Sequence, residues 1–63
     1  MDSNRIKGNW NQMKGKIQQK WGRLTDDDMD VIDGYRTELV GKIQEHYGYS
    51  RDKAEREVDE YLR

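Results

Sequence analysis

His46 stands four residues before Ser50, and these are the residue types from which a hydroxyl nucleophile and its base are built. Such a nucleophile needs its base within hydrogen-bond reach and the base oriented by a third group. Gly48 lies between the two and is placed to end a helix, and no third group is indicated. His46 therefore reads as a partly exposed rim residue beside Tyr47. There is no cysteine, and the only other serine is Ser3. The expectation is a protein that is not an enzyme.

Asp26-x-Asp28-x-Asp30 has the spacing of the first calcium ligands of an EF-hand loop. The match ends there, since the sixth position would be Val31 instead of Gly and the twelfth Thr37 instead of Glu. The stretch reads better as a helix start. Thr25 can cap, Asp28 stands three residues on, where a capping box usually has Glu or Gln, and three carboxylates meet the positive end of the helix dipole. No metal site, no phosphate-cradling glycine loop and no cofactor is expected.

The third candidate is a basic, tryptophan-bearing stretch. Residues 1–24 carry a net charge of +5 and residues 25–63 a net charge of −6. Trp10, Lys14, Lys16 and Lys20 form a candidate binding surface of the kind that nucleic acid or an anionic membrane attracts. Against this, Trp10 also lies on the stripe that must form the core. The favoured reading of the lysines is a solvated polar face, balanced by the acidic remainder of the chain. A third reading is weak self-association, the basic helix of one copy meeting the acidic half of another.

The elements that would position these residues follow from periodicity. Ser3 or Asn4 can cap a first helix at roughly residues 4–21, in which Ile6, Trp10, Met13, Ile17 and Trp21 or Leu24 form one stripe. Gly22 suits a left-handed closing position. A short second helix carries Met29 and Ile32 and ends at the turn pair Asp33-Gly34. Tyr35, Leu39, Val40, Ile43 and Tyr47 or His46 rebuild the stripe before Gly48. Ser50 caps a last helix, where Ala54, Val58 and Tyr61 or Leu62 face inward. Glu38–Lys42 and Asp52–Arg56 are acid-before-base pairs at the spacing that supports a helix.

The chain also repeats. Gly15-Lys16-Ile17-Gln18 recurs as Gly41-Lys42-Ile43-Gln44, and laying residues 1–37 over 27–63 gives eleven identities. Neither copy can bury its stripe alone, so the expected architecture is all-α, four helices as two α-hairpins with internal pseudo-duplication, long-short then long-short. Trp10 is not repeated; Arg36 takes its place. Gly8, Gly15 and Gly41 each weaken a helix by about 1 kcal/mol relative to Ala. The first reading of them is close packing of helices inside a tiny domain. The other is a backbone kept bare for a partner, or a helix kept meltable.

Sixty-three residues allow one domain, 1–63, near the lower size limit for independent folding. With 32% hydrophobic and 40% charged residues and a mean hydropathy of −1.37, the composition lies close to the border with disorder. No apolar run is long enough to span a bilayer, and no h-region marks a signal peptide, so a cytoplasmic location is expected.

Gly8-x-Trp10, Lys14-Gly15-Lys16, Trp21-Gly22-x-Leu24-Thr25-Asp26-Asp27-Asp28, Gly34 and Gly41-Lys42-Ile43-Gln44-x-x-Tyr47-Gly48-Tyr49 carry a resemblance to the CsbD-like family of small bacterial stress proteins. That resemblance implies two roughly orthogonal α-hairpins, similar to SAM-like helical domains, and abundance under general or osmotic stress. It brings no catalytic residues. Together with the composition, it suggests a hydrophilin-like protein, a polar chain that protects others during water loss.

Overall fold

The computed structural model describes residues 7–62, and of Lys7 only the backbone. A 3-10 turn, Lys7–Asn9, leads into α1, Trp10–Lys20; α2 spans Asp26–Ile32, α3 Arg36–Tyr47 and α4 Arg51–Leu62. No strand occurs among the described residues. The expected caps Ser3 and Asn4, and Ile6 at the head of the first stripe, lie outside them.

Most of the punctuation is placed as the residues dictate. Thr25 Oγ1 accepts from the Asp28 amide at 3.1 Å, and the Thr25 amide donates to Asp28 Oδ2 at 2.9 Å, which closes the capping box. Asp33 and Gly34 take φ of 43° and 84°, so α2 stops after seven residues. Left-handed Gly48, at φ 70°, ends α3. Ser50 Oγ then accepts from the Lys53 amide at 3.2 Å and caps α4.

Four expectations are corrected. Gly22 is not left-handed; α1 ends instead on a turn in which the Leu24 amide donates to the Trp21 carbonyl at 3.0 Å. The last helix is as long as α3, twelve residues, so the order is long-short then long-long. Lys42 turns to Asp28 and Glu45 rather than Glu38, and in α4 the pair formed is Arg51–Glu55, at 3.5 Å, instead of Asp52–Arg56. Finally, a Cβ placed on Gly8, Gly15 or Gly41 would meet nothing within 4 Å. Close packing inside the domain does not explain these glycines.

The core consists of Trp10, Ile17, Trp21, Leu24, Met29, Ile32, Leu39, Val40, Ile43, Ala54 and Val58. Met13, Tyr47, Tyr49, Tyr61 and Leu62 are partly buried against it. The closest helix packing is α3 against α4, then α2 against α3. Helix α1 reaches the others mainly through side chains. Trp21 meets Tyr61 edge-on at 5.2 Å, and Gln18 Nε2 donates to the Leu24 carbonyl and to Asp26 Oδ1.

Candidate functional site

The four residues of the candidate surface do not form one surface. Trp10 is only 7% exposed and belongs to the core. Lys16 and Lys20 are exposed, one helical turn apart, and share a face. Lys14 is half-buried on another side of α1, with its ammonium 3.9 Å from Asp30 on α2. The lysines thus straddle the helix, and the aromatic group that would anchor a ligand faces inward.

Asp26, Asp28 and Asp30 do not converge. On a helix, residues two apart point to opposite sides at about 100° per residue. Asp28 turns inward and the other two outward. Each finds a different partner: Asp26 takes Gln18, and Asp30 faces Lys14. Among the described residues, no group of three or more His, Asp or Glu side chains could hold a metal ion.

The densest polar cluster was not legible as such, because Lys42 and His46 lie 14 and 18 residues from Asp28. It forms around Asp28, the only buried charged side chain among the described residues. Lys42 Nζ lies 3.6 Å from Oδ1, and His46 Nε2 lies 2.7 Å from Oδ2, buried and off the line of a straight hydrogen bond. The Asp28 carboxyl is held below its ordinary range, chiefly by the Thr25 backbone amide. The Thr25 hydroxyl and His46 act in the same direction, and burial opposes them. Arg23 adds a lid, its amide donating to the Tyr47 hydroxyl and its guanidinium to the His46 carbonyl. His46 is therefore a rim residue, as expected, but one that pins α3 to the start of α2. Ser50 is engaged as a cap and is not seen to meet it.

A shallow cleft of about 190 Å³ lies along α3 and α4, lined by Arg36, Val40, Gly41, Gln44, Arg51 and Glu55 among others. Its arginines are already engaged. Arg36 makes a two-pronged bond to Asp59 at 2.8 and 3.0 Å, which raises its pKa further, and Arg51 pairs with Glu55. The cleft binds helix to helix, with no free charge aimed into it.

Comparison of the sequence with known proteins identifies a family. A family model described as CsbD-like matches residues 4–56. Over 61 residues the chain is 57% identical to the UPF0337 protein YjbJ of Escherichia coli O6:H1, covering 97% of this chain and 88% of that one. The YjbJ protein of Escherichia coli K12 is 59% identical over 58 residues, 92% of this chain and 84% of its own. The UPF0337 protein RPA4217 of Rhodopseudomonas palustris is 56% identical over 62 residues, 98% and 94% of the two chains. The chain belongs to the CsbD-like family.

Proposed function

We propose that the protein is a small, non-enzymatic stress-response protein that protects other macromolecules during water loss, in the manner of a hydrophilin. The observation that carries this reading is its surface. Val31, 52% exposed, is the only exposed large apolar side chain among the described residues. Yet 40% of the chain is charged and the net charge is −1. A surface dense in both signs and poor in apolar patches stays soluble when crowded and separates neighbours that would aggregate. Such a protein works in the cytoplasm and needs no cofactor or small-molecule ligand. Among the described residues no helix is long and apolar enough to cross a membrane.

The four helices are read as a duplicated pair of α-hairpins of SAM-like type. Ile17 and Ile43, and Ile32 and Val58, support this reading, since each pair is related by the repeat and all four are fully buried. The unequal charge of the two parts of the chain also supports weak self-association. A strictly monomeric mass at high concentration would exclude it.

The protective reading is tested by drying an unstable reporter enzyme with this protein or with an equal mass of an ordinary globular protein. More activity should survive with this protein, and a strain lacking the gene should survive drying or osmotic shock less well. Equal losses in both comparisons would sink the reading.

A further inference from the structure

Helix α1 is held differently from its neighbours. Its end lacks a left-handed residue, whereas α2 and α3 close on left-handed Asp33 and Gly48. Gly15 sits inside it with open space where a side chain would be, as Gly41 does in α3. Relative to alanine this shifts the helix equilibrium roughly fivefold toward the open chain. Its first turn has no acid, whereas α2, α3 and α4 each have at least one. It is attached through side chains more than through close backbone packing. Segments of this kind open at a lower free energy than the domain as a whole.

What such opening would release is set by the sequence. Trp10, Met13, Ile17 and Trp21 form one stripe, and at about 100° per residue Lys14 and Lys20 flank it on opposite sides. From Trp10 to Arg23 there are four basic residues and no acid. Lysines bordering an apolar stripe with a tryptophan at each end describe a helix that lies in a lipid interface. Nucleic acid would answer the charge but leave the continuous apolar stripe exposed, so the observations favour lipid.

We propose that α1 opens from the domain as a unit and that the opened segment lies as an amphipathic helix on an anionic lipid surface. This goes beyond the protective reading and stands or falls independently of it. The closed domain hides the apolar stripe, so affinity scales with the fraction of molecules that are open.

Amide hydrogen exchange on the whole protein, with binding to phosphatidylglycerol vesicles, tests both parts. The amides of α1 should exchange faster than those of α3, and brominated lipid should quench tryptophan emission at low salt. Both tryptophans of the chain bound this segment. Tyr61→Ala removes the edge-on contact to Trp21 without changing α1. It should raise α1 exchange roughly threefold to tenfold and vesicle affinity by the same factor. Lys14→Gln with Lys20→Gln should raise α1 exchange at most about twofold, since the Lys14–Asp30 pair is open to solvent at 3.9 Å, and should abolish vesicle binding, which keeps the test decisive if Tyr61→Ala fails to fold. The proposal is overturned if α1 and α3 exchange at one common rate, or if quenching is absent. It is equally overturned if Tyr61→Ala raises exchange without raising affinity, or if duplex DNA binds and vesicles do not.

Discussion

Lys16 and Lys42 occupy the same place in the repeated Gly-Lys-Ile-Gln block, yet Lys16 is exposed and Lys42 is half-buried 3.6 Å from Asp28. The contrast runs the length of the two helices. Where α1 begins with Trp10 in the core, α3 begins with Arg36 clamped to Asp59 on α4. Where α1 ends in a plain turn, α3 ends on left-handed Gly48. The isoleucines are used alike, both fully buried, and Gly15 and Gly41 both face open space. Helix α3 lies between α2 and α4 and is tied to both by charge, while α1 depends on apolar side chains, on Gln18 and on one solvent-open pair, Lys14–Asp30 at 3.9 Å. Near-identical residues meet different surroundings in the two helices.

Truncating the isoleucines tests that difference most severely. Ile17→Ala and Ile43→Ala both empty a fully buried position, and each should cost about 2–5 kcal/mol. That is a large share of the stability of a small domain. Ile43→Ala should abolish amide protection throughout the chain. Ile17→Ala should lose it first and most deeply in α1. Identical protection patterns in the two variants would break the comparison.

Asp28 comes next. It closes the capping box of α2 and draws Lys42 and His46 of α3 to it, so Asp28→Asn should cost about 1–2 kcal/mol by urea denaturation. Its folded pKa is lowered from 3.8, so the stability it contributes is fully present above that value and is lost as pH falls through the lower folded value. The wild type should weaken more between pH 5 and about 2 than Asp28→Asn does. Equal slopes would remove the carboxylate from the account.

Much of this was legible in the residues. The Thr25-Asp28 box, the Asp33-Gly34 turn, the Gly48 stop and the Ser50 cap are local devices, fixed by side chains within a few positions of the backbone they satisfy. The apolar stripes were legible because burial follows the helical period. The Asp28 cluster was not, since it joins residues from two helices whose relative placement no local pattern encodes. Trp10 was legible in two senses, as core and as bait, and packing decided for the core.

The helix ends give a finer test. Gly22 and Gly48 fall at the same position when residues 1–37 are laid over 27–63, but only Gly48 needs positive φ. Gly48→Ala should cost about 1 kcal/mol, and Gly22→Ala a few tenths at most. Equal effects would mean that the two ends are closed alike.

Gly15→Ala sharpens the comparison with the smallest change. A methyl group there meets open space, so it introduces no clash and removes no contact. What changes is the helix equilibrium, which shifts by about 0.5–1 kcal/mol toward the folded form. Gly41→Ala has the same local gain. If α3 opens only when the whole domain unfolds, Gly41→Ala should slow exchange of its amides through global stability alone. Gly15→Ala should slow exchange in α1 by roughly twofold to fivefold, and leave the slowest amides of α3 nearly unchanged if α1 opens first. Should Gly15→Ala protect α1 and α3 by the same factor, the two helices form one cooperative unit. The glycine would then weaken the whole domain and not only the helix that contains it.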